Sequence, residues 1–410
     1  MSSIASATSQ AMPITVLSGF IGAGKTTLYH QLLERLNDKT IAVVVEDKTE
    51  LEAEADFLLA GMGFESSSTQ ANADDEGNVY RSSMSKLRDK VVELAQTGRF
   101  DGLLVEAHGA SDPLLIAEQL SDQQGESLSL ADIAVVDTTA TVVDAVTFLT
   151  DYQAGTSLKA VDDSFDGDDE RKVTDVLIEQ VEFADVIVIS KADLVDADSL
   201  GRLTAILEAL NTGAQVIAAN NGAADPSLLF ATGSFDFARA QQAAGWLQEM
   251  RGKPVRTSVE HCLSSFKFEA RRPLHPAKFA KVLQSIQSFG KLLRSKGYFW
   301  LATREQYAGQ WSQAGGVARF GVGGVFWSAI PEENWPKDPT YLASIKDAWQ
   351  EPFGDKRQEL VFIGQNLDQE GLLEALESCL LSADETERGI EYWVELEDPF
   401  PPWHIPHSHD

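Results

Sequence analysis

The sequence predicts an α/β fold: a doubly wound, mainly parallel sheet covered by helices on both faces, followed by a smaller α+β domain. Short apolar runs alternate with stretches of helical periodicity over residues 13–240. The apolar runs, such as IAVVV at 41–45, are continuous, which is typical of strands buried on both faces. The chain has 410 residues, more than one ordinary domain needs, and the alternation stops near residue 235.

The predicted elements of the first domain follow from this periodicity. Residues 1–12 are small and polar and are expected to be flexible. Residues 61–81, rich in Gly, Ser, Asn and Asp, and the acidic residues 161–171 are predicted to be loops. Helices are predicted at 22–36 and 83–97. The predicted strands are 13–20, 41–45, 101–109, 142–144, 186–190 and 215–219.

A change of character marks the second domain. A predicted helix, FARAQQAAGWLQEM, leads into a linker at 241–257, and the domain itself is placed at 258–400. Strands are predicted at SSFKFEA, YFWLAT and QELVFIG, and helices at PAKFAKVLQSI and EGLLEALESCLL. Residues 401–410 are predicted to form a proline-containing tail with three histidines.

The composition excludes several classes of partner. Acidic residues outnumber basic ones by 63 to 33, and the resulting net charge of −30 repels nucleic acid. No run of about 18 apolar residues is present, so a membrane-spanning helix is not expected, and the N-terminus does not resemble a secretory signal. The two cysteines, Cys262 and Cys379, imply no disulfide framework and fit a reducing cytoplasm.

The segment GFIGAGKT at 19–26 carries the most specific signal. It matches G-x-x-x-x-G-K-[ST] between a predicted strand and a predicted helix, which is the context that a phosphate-binding loop (P-loop) requires. Glycines let backbone N–H groups surround phosphate oxygens, and the helix N-terminus adds its positive dipole. Lys25 is expected to contact the β- and γ-phosphates, and Thr26 to ligate Mg²⁺. The predicted nucleotide-binding residues of this segment are Gly19, Gly22, Ala23, Gly24, Lys25, Thr26 and Thr27.

An acidic residue at the end of another strand extends this prediction. Glu106 ends DGLLVE and precedes the turn at Gly109. In P-loop proteins an acidic residue of this kind holds Mg²⁺ or orders the attacking water. Lys25 and Glu106 are therefore the predicted catalytic residues, with Thr26 and Glu106 as Mg²⁺ ligands.

A second motif predicts which base is bound. Ser190-Lys191-Ala192-Asp193 follows the strand VIVI and is similar to the N-K-x-D motif of GTPases, with Ser190 in place of the usual Asn. The Asp193 carboxylate can accept hydrogen bonds from guanine N1 and its 2-amino group, a pair that adenine does not offer. The stem of Lys191 can pack on the base. GTP is therefore favoured over ATP.

Longer segments resemble the CobW-type P-loop GTPases, which are linked to metal homeostasis. The resemblance runs from residue 13 to 400 and is nearest to the zinc metallochaperones, with nitrile hydratase activators close by. It implies a CobW-type C-terminal domain and GTP-dependent delivery of a metal, usually zinc, to a client protein. The segments are TVLSGFIGAGKTTL, VVVEDKTE, RFDGLLVEAHGASDP, TVVDAVTFLTDYQAG, LIEQVEFADVIVISKADLV, LSSFKFEARRPLHP, LLRSKGYFWLATR, WSQAGG and DKRQELVFIGQNLD.

The sequence departs from this family at the family's cargo site. The family carries Gly-Cys-x-Cys-Cys where this chain has Gly77-Asn78-Val79-Tyr80-Arg81. Thiolates are the soft ligands that hold Zn²⁺ tightly, and asparagine, tyrosine and arginine do not replace them. The family's tight zinc site is therefore not expected here.

Other candidate ligands leave alternatives open. The resemblance places Asp47 where the family has an acidic residue suspected in metal binding, and an Mg²⁺-side carboxylate is the other interpretation. His108 either contacts the nucleotide or is an ordinary turn residue. Cys262 and Cys379 are predicted to lie in or near the C-terminal core. His404, His407 and His409 in the tail either form a labile metal site or are histidines that occur there by chance and bind no metal.

The sequence as a whole predicts a GTPase in which water attacks the γ-phosphate. No arginine finger or catalytic glutamine is evident, so turnover is expected to be slow without a client protein. Two other interpretations remain: a GTP-switched interaction or maturation factor that no longer carries metal, and a relative that uses ATP.

Overall fold

The computed structural model describes residues 11–36, 38–46, 78–121, 130–162, 169–219, 222–253 and 255–403. The chain divides into two compact units. The first comprises the residues up to Asp151 together with Thr156–Ala244, and the second comprises Tyr152–Gly155 and the residues from Gly245 onward. The division at Ala244 falls within the predicted linker, 241–257, whose bounds stay a prediction.

Seven strands form the sheet of the first unit. They are β1 Met12–Gly19, β2 Ile41–Glu46, β3 Val79–Ser82, β4 Gly102–Glu106, β5 Ala134–Asp144, β6 Val186–Ser190 and β7 Gln215–Ala218. Their order is β3-β2-β4-β1-β5-β6-β7, and every neighbouring pair is parallel. The predicted α/β class with a parallel sheet is confirmed.

Helices connect these strands. They are α1 Lys25–Arg35, α2 Leu87–Gln96, α3 Pro113–Ser121, α4 Leu130–Ile133, α5 Phe148–Ala154, α6 Leu158–Val161, α7 Val173–Phe183, α8 Ala197–Leu210 and α9 Phe237–Ala240. Short 3₁₀ helices lie at Met84–Lys86, Ala192–Leu194 and Pro226–Leu228.

The sheet is buried on both faces, as the continuous apolar runs predict. Successive side chains of a strand point to opposite faces, so Val16 and Leu17 of β1 belong to different cores. Val16 packs in the core that contains Val91 of α2. Leu17 packs in the core that contains Leu28 and Leu32 of α1. Helices therefore cover both faces of the sheet.

Strand β3 corrects the prediction of a continuous loop at 61–81. Residues 61–77 lie outside the described residues, but Val79–Ser82 pairs with β2 from Val43↔Val79 to Glu46↔Ser82. The Tyr80 ring packs edge-on against Phe100, with centroids 6.4 Å apart. This contact half-buries one side of the short strand. The polar residues that precede the strand in the sequence gave no indication of such burial.

The predicted helix FARAQQAAGWLQEM is also wrong as a single element. The structure has α9, which ends at Ala240, and a separate helix, α10, at Gly245–Met250. Between them Ala244 forms an isolated β-bridge with Asn211, and the Ala243 carbonyl accepts from the Thr212 N–H. This pairing requires an extended backbone, which interrupts the helix.

The second unit contains a five-stranded antiparallel sheet. Its strands are β8 Leu263–Ala270, β9 Lys291–Phe299, β10 Tyr307–Ala314, β11 Val317–Val325 and β12 Gln358–Gln365, in the order β11-β10-β9-β12-β8. After α10, its helices are α11 Pro276–Gln284, α12 Pro339–Asp347, α13 Gln369–Ser378, α14 Ala383–Glu387 and α15 Ile390–Trp393. Short 3₁₀ helices lie at Ile286–Phe289, Ala302–Arg304, Trp327–Ala329 and Glu332–Asn334. The α+β class is confirmed.

Three details of the second unit differ from the sequence predictions. The predicted strand YFWLAT ends at Phe299, and Ala302–Arg304 is a 3₁₀ helix. The glycine-containing hairpin of β10 and β11 was not predicted. Cys379 is buried in the core as predicted, but Cys262 is exposed, in a left-handed turn with φ 52°.

The parallel sheet determines where the site lies. The carboxyl ends of parallel strands meet at one edge of the sheet, where ligands of open α/β sheets bind. In the strand register Leu17 lies opposite Glu106, and Asp144 lies opposite Ser190. Residues that are far apart in the sequence thus meet where β1, β2, β4, β5 and β6 end.

Candidate nucleotide-binding site

The loop between β1 and α1 needs its glycines for different reasons. Gly19 has φ 142°, and a Cβ there would lie 2.6 Å from the Val142 carbonyl oxygen. Gly22 and Gly24 have φ values of 74° and 99°, which L-residues with side chains rarely adopt. No side chain caps α1 after Gly24 in the described structure. The first N–H groups of α1 are therefore suited to an anion.

Lys25 lies beneath this loop. It is 9% exposed, and its Nζ donates to the carbonyl oxygens of Gly19, at 2.7 Å, and Phe20, at 3.3 Å. Burial lowers the pKa of Lys25, while the nearby Glu106 and Glu46 carboxylates act in the opposite direction. The ammonium group has lost much of its hydration, so a phosphate anion beside it would be favoured.

Thr26 and Glu106 meet as the sequence predicts. The exposed Thr26 hydroxyl donates to Glu106 Oε1 at 2.8 Å, and Glu106 is 7% exposed at the end of β4. A hydroxyl and a carboxylate supply the hard oxygen atoms that Mg²⁺ prefers. The two side chains therefore fit a magnesium ion at this position.

Glu46 is a site residue that the sequence analysis missed. The analysis selected the next residue, Asp47, which lies outside the described residues. Glu46 ends β2 and is 6% exposed. Its Oε2 accepts from the His108 N–H at 2.9 Å, and its Oε1 accepts from the Ser111 hydroxyl at 2.8 Å. The available signal was an acidic residue ending an apolar strand, the same signal that identified Glu106.

The SKAD motif contacts the phosphate-binding loop directly. The Ser190 hydroxyl donates to the Ala23 carbonyl oxygen at 2.6 Å. Lys191 Nζ donates to the Gly22 carbonyl oxygen at 3.0 Å and forms an ion pair with Asp144 at 2.5 Å. Asp144 ends β5 and was also missed. These contacts hold β6 and the loop together.

Two predicted binding residues lie on the exposed side of this arrangement. Asp193 is exposed in the 3₁₀ helix Ala192–Leu194, which follows the left-handed Lys191. Thr27 is exposed in the first turn of α1. Both side chains are accessible to a ligand at this edge of the sheet.

The described residues contain no group of three or more His, Cys, Asp or Glu side chains that could hold a metal ion. At the place of the family's cysteines, Val79–Ser82 forms β3, and Arg81 is exposed. The tail residues His404, His407 and His409 lie outside the part of the chain that the structure describes. No helix in that part has the length and apolar character needed to cross a membrane.

The site has the arrangement of a P-loop protein. It combines a glycine-containing loop, a buried lysine at the start of α1 and a threonine that is hydrogen-bonded to a glutamate at the end of a strand. The chain belongs to the CobW/HypB/UreG family. The family's nucleotide-binding domain matches residues 13–218. The cobalamin synthesis protein cobW C-terminal domain matches residues 263–380.

Two relatives, from Dictyostelium discoideum and Sinorhizobium sp., agree with this assignment. The zinc-regulated GTPase metalloprotein activator 1 of Dictyostelium discoideum is 35% identical over 402 residues, covering 95% of this chain and 84% of that protein. The zinc chaperone CobW of Sinorhizobium sp. is 27% identical over 305 residues, covering 70% and 81%. The crystal structure of Zn(II)-bound YjiA GTPase from E. coli is 20% identical and covers 90% of this chain and 99% of that one, with a TM-score of 0.37.

Proposed function

We propose that this protein binds GTP and hydrolyses it with Mg²⁺ as cofactor. The observation that carries this proposal is the meeting of Lys25, Thr26 and Glu106 at the carboxyl edge of the parallel sheet. Membership of a family of nucleotide-binding domains supports it.

Each of these residues has a distinct role in the proposed reaction. Lys25 would exchange its carbonyl contacts for oxygens of the β- and γ-phosphates, where it stabilises the charge that builds during transfer. Thr26 and Glu106 would hold Mg²⁺, which neutralises phosphate charge when bound. Glu46 fixes the His108 backbone and so holds the turn after Glu106 in place.

Base recognition is assigned to Asp193. Its exposed carboxylate can accept from guanine N1 and the 2-amino group. Ser190 and Lys191 position the motif by their bonds to Ala23 and Gly22 of the loop. This supports GTP as the substrate rather than ATP.

The experiment is a titration of the full chain with GTP and ATP in the presence of Mg²⁺, together with measurement of phosphate release. We expect GTP to bind more tightly than ATP, and Glu106→Gln to lower hydrolysis about 100-fold. Glu93→Gln is the matched control, because Glu93 is an exposed glutamate on α2. Absence of binding to either nucleotide by the wild-type protein would refute the proposal.

We further propose that the GTPase cycle serves a client protein, to which a metal is delivered. Support comes from the names of two relatives, a metalloprotein activator and a zinc chaperone. The two cysteines are both free, which is consistent with the cytoplasm as the proposed location. Because the sequence offers no evident arginine finger, the client is expected to accelerate hydrolysis.

A second candidate is a GTP-switched maturation factor that carries no metal. The observation that favours it is β3, where Tyr80 and Arg81 occupy positions at which the family resemblance expects cysteines. Zinc titration of metal-free protein, with and without a GTP analogue, separates the two. Binding no tighter than about micromolar supports the second candidate, whereas a stoichiometric and much tighter complex supports metal delivery.

A further inference from the structure

The end of β5 is bonded to the SKAD motif at three successive residues. The Val143 carbonyl oxygen accepts from the Ser190 hydroxyl at 3.2 Å, and the Ala145 N–H donates to the Ser190 carbonyl oxygen at 3.0 Å. Asp144 lies between them, opposite Ser190 in the strand register, and forms the ion pair with Lys191. The end of β5 is therefore attached directly to the motif that is assigned to base recognition.

Both oxygen atoms of the Asp144 carboxylate have a partner. Oδ1 accepts from the Val146 N–H at 2.8 Å, which fixes the orientation of the group, and Oδ2 accepts from Lys191 Nζ at 2.5 Å. The side chain of Asp144 is only 9% exposed, whereas that of Lys191 is 39% exposed. An ion pair that is partly removed from water is screened less than a pair on the surface. Asp144 is therefore the fixed member of the pair, and it determines where the Lys191 ammonium group lies.

The phosphate-binding loop holds the same ammonium group at a second point. Lys191 Nζ also donates to the Gly22 carbonyl oxygen at 3.0 Å. The backbone of Lys191 is left-handed, with φ 54°, a conformation that a residue with a side chain keeps only where its surroundings impose it. The 3₁₀ helix that carries Asp193 begins at the next residue. Holding Lys191 by its ammonium group therefore helps to fix the place of the Asp193 carboxylate.

We propose that Asp144 is a positioning residue for guanine, which holds Lys191 against the phosphate-binding loop and thereby places the Asp193 carboxylate for the base. The inference rests on the proposed binding of GTP. Groups that are already in place when the ligand arrives cost less to order on binding. The effect belongs to the base end of the site and not to the phosphate end, where Lys25 and Thr26 lie. Loss of the Asp144 charge should therefore weaken guanine recognition and leave the chemical step unchanged.

The test compares wild type with Asp144→Asn in titrations with GTP and ATP and in steady-state hydrolysis of GTP, all with Mg²⁺. Asparagine can still accept from the Val146 N–H, but it has no charge to attract Lys191. Charge-assisted hydrogen bonds are roughly twice as strong as neutral ones. We expect GTP affinity to fall about ten-fold and ATP affinity to stay within about two-fold. KM for GTP should rise with kcat unchanged, because the lost interaction is made equally in the ground state and in the transition state.

Asp185→Asn is the matched control. The Asp185 side chain is 4% exposed and forms an ion pair with Arg239 at 2.8 Å. Asp185 directly precedes β6, whereas Lys191 directly follows it, so the two ion pairs lie at opposite ends of the same strand. We expect Asp185→Asn to unfold at a lower temperature and to keep the wild-type affinities for GTP and ATP.

A second variant covers the case in which Asp144→Asn does not fold. Lys191→Met removes the same ion pair from its more exposed member and keeps an unbranched side chain. It should lower the ratio of GTP affinity to ATP affinity in the same direction.

The outcomes separate this inference from the proposed function. An unchanged ratio of GTP affinity to ATP affinity in a folded variant, or a fall in kcat with KM unchanged, overturns the role of Asp144 and leaves GTP binding intact. Equal affinity of the wild-type protein for GTP and ATP overturns the assignment of Asp193 and this inference with it. Failure of the wild-type protein to bind either nucleotide overturns the proposed function as well.

Discussion

Replacing Lys25 by methionine tests the central residue of the site. The change removes the ammonium group and keeps an unbranched side chain. In the structure this group donates to the Gly19 and Phe20 carbonyls, and burial lowers its pKa. Its desolvation cost is only partly offset by those bonds and by the nearby carboxylates, because its pKa stays lowered. We expect the free energy of unfolding without nucleotide to change by no more than about 1 kcal/mol.

With nucleotide bound, the same change has a large effect. The Lys25 ammonium is assigned to two phosphate groups, and a hydrogen bond to a charged group contributes about 1.5–3 kcal/mol. Loss of two such bonds removes about 3–6 kcal/mol, which weakens GTP affinity about 100- to 10,000-fold. The variant should therefore be stable but insensitive to GTP.

Thermal unfolding with and without GTP and Mg²⁺ measures both effects, because a ligand raises the unfolding temperature according to its affinity. Arg35→Met is the matched control. It removes one positive charge from the last turn of the same helix, where Arg35 donates to the Ala224 carbonyl at 3.4 Å. Equal stabilisation of Lys25→Met and wild type by GTP would refute the assignment of Lys25.

Three further variants probe the surroundings of the site. Ser190→Ala leaves the Ala23 carbonyl without its donor and should weaken GTP binding by about 1–3 kcal/mol in a titration; unchanged affinity would contradict this. Gly109→Ala places a Cβ 2.5 Å from Ile21 Cγ1. We expect it to weaken GTP binding by about 1–3 kcal/mol as well. Gly321→Ala is the control, because a Cβ there would have no neighbour within 4 Å, and it should leave GTP binding unchanged. Glu179 is exposed as a whole residue, yet partial desolvation of its carboxyl group, and then the Asp112 carboxylate, raise its pKa to about 7. A raised pKa favours the protonated form in the folded protein, so this contribution to stability is present below the ordinary value of 4.5 and lost as the pH rises through about 7. Glu179→Gln should therefore unfold at a higher temperature than wild type near pH 8, with a difference that shrinks toward about pH 5; identical pH profiles would contradict the raised pKa.

The phosphate-binding loop was predictable because its signal is local. Gly19, Gly24, Lys25 and Thr26 lie within eight consecutive residues, and the strand and helix on either side have clear periodicity. Glu106 was predictable for a similar reason, since it ends an apolar strand just before a glycine turn. In both places neighbouring residues in the sequence were enough to predict the strand, the turn and the helix that the structure shows.

Residues whose role depends on distant partners were not predictable in this way. Asp144 became recognisable only through its ion pair with Lys191, which is 47 residues away. Gln180 contacts carbonyls about 70 residues earlier in the chain. A glutamine within a helix carries no sign of such a contact, because the contact arises from the packing of α7 beside the loop between β4 and α3 (the β4–α3 loop, residues 107–112).

Ser190 stands where the N-K-x-D motif has asparagine, and the structure gives it a contact that the sequence does not indicate. In the structure its hydroxyl is buried and bonded to the Ala23 carbonyl. A Cβ on Gly24 would also lie only 3.6 Å from Ser190 Cβ. A small hydroxyl side chain therefore suits this close approach of β6 to the loop.

The positions where the family resemblance expects cysteines lie in a different part of the sheet from the proposed nucleotide site. The proposed phosphate-binding loop follows β1, and Glu106, a proposed Mg²⁺ ligand, ends β4. Both are inner strands, whereas Tyr80 and Arg81 lie on β3 at the edge. Glu46 joins the two regions: it is the register partner of Ser82 on β3, and it holds the β4–α3 loop through His108 and Ser111. An edge strand tolerates substitution while the inner strands keep their register. Substitutions on β3 are therefore compatible with the proposed binding of GTP.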